Sequence, residues 1–274
     1  DATGRHGFLA RDVRETDRST TTLAITQRFE KPSGWDNGTG NHTLVESYQD
    51  GWAWSVPLSP TLRCFTVMVD QRHAELEGRE VSEIVQGELA KTTHLASMLD
   101  HVNTKGDSWA CSSSLYHARK YCRPGLLLVG DAGSFIDPLS SYGVKKALAS
   151  GWLAGIVVHT ALIDAPMTDL ALDFFDNREQ SVYQSYRHSS AEFFEEAASV
   201  YGHPYWTTRA EAARAAAGAV SGPNDTDWIE DLEGTYINSD LVRAAHERIR
   251  SVELLDSRAN PDLRVIKRPA IRSQ

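Results

Sequence analysis

The chain has 274 residues, 41% hydrophobic and 24% charged, with a formal charge of -9 at pH 7. That mix suits a folded soluble protein of one large or two small domains, and the acidic balance argues against nucleic acid or an anionic membrane as the main partner. Cys64, Cys111 and Cys122 are odd in number and share no metal spacing, so they read as reduced thiols of a cytoplasmic protein, each a small buried hydrophobe.

The chain opens without methionine, on Asp1-Ala2-Thr3-Gly4-Arg5. Thr20–Phe29, rich in Thr, Ile and Leu with alternation through Leu23, Ile25 and Gln27, predicts a half-buried strand. Lys31–Asn41 collects Pro, Gly, Asp and Asn and reads as a loop. His42–Tyr48 resumes as strand, Gln49-Asp50-Gly51 reads as a hairpin turn, and Trp52–Leu58 and Leu62–Val69 follow as strands. Four strands joined by turns imply an antiparallel sheet. Trp52 and Trp54 are two apart and therefore share a face of it, as ordinary packing aromatics or as something more.

Glu75–Met98 has Val81, Ile84, Val85, Leu89 and Leu95 at helical spacing, with a break expected near Gly87. His94 and His101 have no carboxylate at metal spacing, so no metal site is expected. Ser108–Tyr116 returns as strand. His117, Arg119, Lys120 and Arg123 follow, suited to surface ion pairs or to a phosphate.

Leu126–Val129 is a short apolar run that predicts a strand buried on both faces. Gly130-Asp131-Ala132-Gly133 stops it; glycines around one carboxylate permit a sharp turn and close approach to a ligand, and Asp131 can accept hydrogen bonds from a sugar diol. Asp137-Pro138 fixes an extended bend. Gly143 opens an apolar helix whose free N–H groups favour an electron-rich guest. Its apolar run, Ala147–Ile163, is short for a membrane span, carries His159 and follows Lys145 and Lys146, so it reads as a buried helix. Beyond it, Leu170–Ser199 predicts a helix with a stripe of Phe174, Phe175, Tyr183, Tyr186, Phe193 and Phe194, packed as core. Tyr201–Trp206 breaks that helix. Thr207–Ala219 reads as helix, Ser221–Asp227 as loop, Asp240–Leu255 as a helix capped by Ser239, and Arg258–Gln274 as loosely ordered.

GDAGSFIDPLSSYGVKKALASG, from Gly130 to Gly151, resembles the second flavin-binding motif of the FAD-dependent monooxygenase and halogenase superfamily, which also contains p-hydroxybenzoate hydroxylase and geranylgeranyl reductase. The resemblance implies FAD as cofactor. Gly130 and Asp131 would hold its ribityl or ribose hydroxyls, and Pro138, Ser141, Tyr142, Gly143 and Val144 would line the isoalloxazine. Gly51–Pro57, GWAWSVP, resembles the GWxWxIP signature of flavin-dependent halogenases, with Val56 where isoleucine is usual. It implies that Trp52 and Trp54 stand by the passage between flavin and substrate. Asp-Ala-Thr-Gly resembles the segment by which these flavoproteins leave their nucleotide-binding sheet. No GxGxxG occurs in the sequence, so the adenosine half of the site is expected in a preceding part of a larger enzyme.

The implied fold is α/β (α+β): the C-terminal part of a two-domain FAD-binding fold of the glutathione reductase and p-hydroxybenzoate hydroxylase type. Residues 1–19 and 108–165 would be the remainder of the FAD-binding domain, 20–107 an antiparallel substrate-domain sheet, and 166–274 a C-terminal helical region. The implied chemistry is oxygen activation through a flavin C4a-hydroperoxide, acting on a small aromatic substrate, indole- or phenol-like and either free or carrier- or peptide-bound, with electrons from a separate flavin reductase. Tryptophan halogenases place a glutamate just after Pro-Leu, near the substrate. Here Ser140 stands at that place in the pocket, and hydroxylation is therefore expected ahead of halogenation. The halogenases' relay lysine would lie upstream of Asp1. A geranylgeranyl-reductase-like flavoprotein and a non-catalytic accessory or binding module are the remaining alternatives.

Overall fold

A computed structural model describes residues 1–35, 42–72 and 76–217. The expected loop beyond residue 35, the start of the helix at residue 75, the last residues of the alanine-rich helix, the loop Ser221–Asp227, the capped helix Asp240–Leu255 and the segment Arg258–Gln274 lie outside the described residues.

The larger sheet is antiparallel. Its strands are β2 (Thr22–Glu30), β3 (Leu44–Tyr48), β4 (Gly51–Pro57) and β5 (Leu62–Asp70), in the order β3-β4-β5-β2, with β6 (Asn103–Thr104) and β7 (Trp109–Ser112) on the far edge of β2. Tyr48 pairs with Gly51, so Gln49 and Asp50 alone make the hairpin loop. Gly51 is needed for a different reason than the expected turn: a Cβ there would lie 2.6 Å from the Met68 carbonyl oxygen and from the Tyr48 hydroxyl. The strand expected over Ser108–Tyr116 is two strands in two sheets. β7 pairs with β2, whereas β8 (Tyr116–Ala118) pairs with β1 (Arg14–Thr16) and β11 (Ser134–Phe135).

β2 is buried on both faces, not on one as its alternation suggests, because helices cover the sheet on each side. Ile25, Phe65, Val67 and Val69 face α1 (Val81–Leu89) and α2 (His94–Met98), joining Ile84, Val85, Leu89 and Leu95. Ala24, Trp52 and Met68 face α4 (Thr168–Tyr201) and α5 (Pro204–Ala217), joining Ala191, Phe194, Tyr205 and Trp206. The buried Thr26 and Thr66 hydroxyls of β2 and β5 pair with one another at 3.0 Å. The break in the expected Glu75–Met98 helix falls at Ala90–Thr93, between α1 and α2, and Gly87 stays helical. Glu46 of β3 accepts bonds from the backbone N–H groups of Thr93, His94 and Leu95 and so caps α2.

Leu126–Leu127 (β10) forms a two-stranded hairpin with Cys122–Arg123 (β9), leading into the turn at Gly130. α3 (Gly143–Ile163) packs behind that turn and against α4. The expectation that α3 is buried along its apolar run is corrected. Its inward residues are Lys146, Ser150, Ala154 and Val157, while Val144, Leu148, Trp152, Ile156, Leu162 and Ile163 are exposed. By length and composition α3 is apolar enough to cross a membrane, with 22% of that window buried in the fold. In α4 the phenylalanines come in two adjacent pairs, so one of each pair turns outward. Phe175 and Phe194 are buried and Phe174 and Phe193 are exposed. Cys122 is buried, Cys64 half-buried and Cys111 exposed, so a buried hydrophobe describes only the first of the three.

Candidate functional site

The site is built where the β9–β10 hairpin ends. Gly130 has φ +60, and a Cβ on it would meet the Ala147 Cβ at 3.0 Å, so glycine is required both by the backbone and by the approach of α3. One guanidinium wires this turn to the start of the chain: Arg14 donates to the carbonyls of Arg5, Gly4, Asp131 and Ala132 at 2.6 to 3.3 Å. Tyr116 adds a bond from its hydroxyl to the Asp131 carbonyl at 2.6 Å. The chain's first residue joins the same structure, since Val129 N–H donates to the Asp1 carbonyl at 2.9 Å. Asp131 has its backbone fixed in this way, while its carboxyl side chain remains 31% exposed.

The loop after the turn folds on itself. Asp137 is extended, as its position before proline requires, and its carboxylate accepts from Leu139 N–H at 2.9 Å. Burial pushes the Asp137 carboxyl up, opposed by the Leu139 bond and by the nearby Arg209 guanidinium. Ser140 Oγ donates to the Asp137 carbonyl at 2.7 Å, and Ser141 takes the left-handed conformation at φ +56. Tyr142 leans on Tyr186 at 5.2 Å. No side chain caps the first turn of α3, a Cβ added at Gly143 would meet nothing within 4 Å, and Tyr142 and Val144 are exposed. An uncapped helix start that faces open space, beside a partly exposed carboxylate, suits the hydroxylated chain and electron-rich ring of a flavin.

Gly130, Asp131, Pro138, Ser140, Ser141, Tyr142, Gly143 and Val144 thus lie on one continuous turn, loop and helix start. Trp52 and Trp54 reach the same region from the sheet. Their rings lie tilted at 30° with centroids 5.0 Å apart on one face, and Leu139 of the loop packs with Trp54 on the cluster containing Trp52. Trp52 is 2% exposed and covered by α5, whereas Trp54 is half-buried. Ser140 spends its hydroxyl on the loop. Arg119 pairs with Glu15 at 3.6 Å and His117 lies 3.8 Å from the same carboxylate, whereas Lys120 and Arg123 line a surface cleft with Asp169 and Asp173.

Sequence reasoning missed Arg14, Arg209 and Lys146. Arg209 ties α5 to the sheet through Asp70 at 3.1 Å and Thr22 at 2.9 Å. Lys146 is 3% exposed, donates to the carbonyls of Ser134 at 2.5 Å and Gly130 at 3.3 Å, and lies 3.7 Å from the Asp131 carboxylate. The only trace of it in the sequence is a second lysine in the first turn of an otherwise apolar helix.

Comparison with known proteins bears on this arrangement. The family model described as tryptophan halogenase matches residues 1–218. A curated relative, the flavin-dependent halogenase armH2 of Armillaria mellea, is 24% identical over 205 residues, covering 67% of this chain and 39% of the relative. Among solved structures, CmlS, a flavin-dependent halogenase, shares the fold at TM-score 0.70 and 21% identity over 87% of this chain and 42% of its own. The peptidyl tryptophan dihydroxylase QhpG shares it at TM-score 0.59 and 24% identity over 69% and 43%. The chain spans about two-fifths of the length of the curated relatives it matches first. With the matched residues running from Asp1 through α5, the chain belongs to the tryptophan halogenase family.

Proposed function

We propose that these residues form the ring-side half of the site in an FAD-dependent halogenase. The observation that carries this reading is the partly exposed Asp131 carboxylate on the same turn and loop as the uncapped start of α3, in a chain of this family. FAD supplies the oxygen activation when bound. The protein's part is binding and shielding. Asp131 accepts a hydrogen bond from a flavin hydroxyl. The first-turn N–H groups of α3 favour negative charge near the ring, or a halide beside it. Leu139 and Trp54 keep water from the space between loop and sheet. The substrate is an electron-rich aromatic, free or tethered to a carrier or peptide, and a separate reductase delivers the electrons. The exposed apolar face of α3 supports placing the adenosine half of the site in a further unit of the enzyme.

Hydroxylation is the second reading, and the halogenase reading is the better supported of the two. The missing carboxylate at Ser140 is outweighed by the match to the halogenase family over residues 1–218. What favours hydroxylation is the shared fold with a protein described as a dihydroxylase. The test is to express the full-length protein and look for flavin absorption. Reduced flavin, oxygen and an indole, phenol or carrier-bound pyrrole are then supplied with and without bromide. A bromide-dependent mass gain of one halogen supports the first reading. A halide-independent gain of oxygen supports the second, and a colourless protein that takes up no flavin overturns both.

A further inference from the structure

Lys146 is a cation in a place where cations are rare. It lies inside the fold, on the inward face of α3, with groups from three other elements around its ammonium. The turn contributes the Gly130 carbonyl and the Asp131 carboxylate, β11 contributes the Ser134 carbonyl, and α4 contributes the buried Glu179, 3% exposed. Burial pushes the ammonium down, while Asp131 and Glu179 hold it up. Burial likewise pushes the Glu179 carboxyl up, and Lys146 opposes that. A buried cation with this surrounding is costly to keep for stability alone, because an apolar side chain of similar size would pack there without the desolvation penalty.

We propose that Lys146 is a positioning residue for Asp131. Its ammonium pins both ends of the turn through the Gly130 and Ser134 carbonyls and holds the Asp131 carboxylate from beneath, so that the outer side of that carboxylate is aimed at the flavin. The inference rests on the FAD reading of the site and deepens it. Lys146 touches no flavin atom; it acts through Asp131. Glu179 of α4 is the second carboxyl group beside the Lys146 ammonium.

The test measures flavin affinity of the full-length protein by fluorescence quenching, with the visible circular dichroism of the bound flavin and a thermal melt for each variant. Lys146→Met removes the charge at nearly constant length. Lys146→Gln keeps a hydrogen-bond donor toward the two carbonyls and carries the test if the methionine variant does not fold. Val157→Ala, on the same face of α3 and away from the turn, is the control for lost stability. Both Lys146 variants are expected to bind flavin about tenfold more weakly or worse, a factor worth about 1.4 kcal/mol, with an altered dichroism band. Val157→Ala is expected to keep wild-type affinity at a lowered melting point. Combining Lys146→Gln with Asp131→Asn is expected to weaken binding no further than Asp131→Asn alone. Wild-type affinity in Lys146→Gln, or losses that multiply in the double variant, would overturn the positioning role while leaving the flavin site in place. Unchanged affinity in Asp131→Asn itself would remove Asp131 from the flavin contacts and overturn the role of Lys146 with it, whereas a wild-type protein that takes up no flavin would overturn the flavin reading.

Discussion

Gly130 and Ala147 meet so closely that a methyl group on the first would stand 3.0 Å from the methyl of the second. This contact sets how near α3 comes to the turn, and therefore where the open start of the helix lies relative to Asp131. Gly130→Ala adds both a clash and a left-handed alanine at φ +60. The expected loss is about 2–4 kcal/mol of stability, from the αL penalty and overpacking together. Flavin uptake is expected to fall with it. Denaturant unfolding and flavin titration check both, and a near-neutral substitution would show that helix and turn separate easily.

Asp137 holds the loop from inside by accepting from Leu139 N–H. Asparagine can make the same bond without a buried charge, and alanine cannot. Asp137→Ala is expected to cost about 1 kcal/mol, the usual worth of a cap, and to loosen Pro138–Ser141. Asp137→Asn is expected to stay within about 0.5 kcal/mol of wild type, the range of substitutions that break no such feature. Guanidinium melts of the two variants give the comparison; equal losses would mean that charge, not the cap, is what the loop needs.

Trp206 donates from its indole to the Tyr48 carbonyl at 2.9 Å and is 1% exposed. Trp206→Ala is expected to cost about 3–5 kcal/mol, as large aromatic truncations in cores do. Trp206→Phe is expected to cost about 1 kcal/mol, the net worth of one buried hydrogen bond. In Trp206→Ala, Trp52 should become accessible to acrylamide quenching. Continued protection would place the cover over Trp52 somewhere other than α5.

His117 stacks on Tyr183 at 4.8 Å, and burial pushes its imidazolium down from the ordinary 6.5, with Glu15 and Asp17 opposing and Arg187 adding to the depression. The unfolded chain therefore takes up this proton first as pH falls. Stability is full above 6.5 and declines from there to the depressed folded value, then levels off for this group. His117→Phe keeps the stacking and should flatten that part of the stability profile measured by urea melts between pH 5 and 7. An unchanged slope would assign it to another group.

Much of the site was legible because it depends on local rules. Proline dictates the backbone of Asp137, and glycines mark the turn at Gly130 and the start of α3. The sheet was legible as four strands, but not its two-sided burial, since alternation cannot report what packs on the polar face. The division of Ser108–Tyr116 between β2 and β1 is decided by partners far away in sequence, with no glycine or proline at Ser113–Leu115 to announce it. Lys146 was illegible for a related reason. The inner face of α3 takes Ser150 and Ala154 together with Lys146, whose ammonium finds the Gly130 and Ser134 carbonyls, and leaves Leu148 and Trp152 outside, so hydropathy did not choose it.

The bonds from Trp206 to Tyr48 and from Arg209 to Thr22 join positions 158 and 187 residues apart. During synthesis the hairpin of β3 and β4 emerges well before α4 and α5, so its tryptophan-bearing side is not fully covered until α5 has left the ribosome. Over that interval an apolar strand surface waits for its lid, the circumstance in which nascent chains recruit chaperones or associate wrongly. The tryptophan face thus depends on the far end of the described fold, and a ribosome stalled before Pro204 would leave it without the part of its cover that Tyr205 and Trp206 supply.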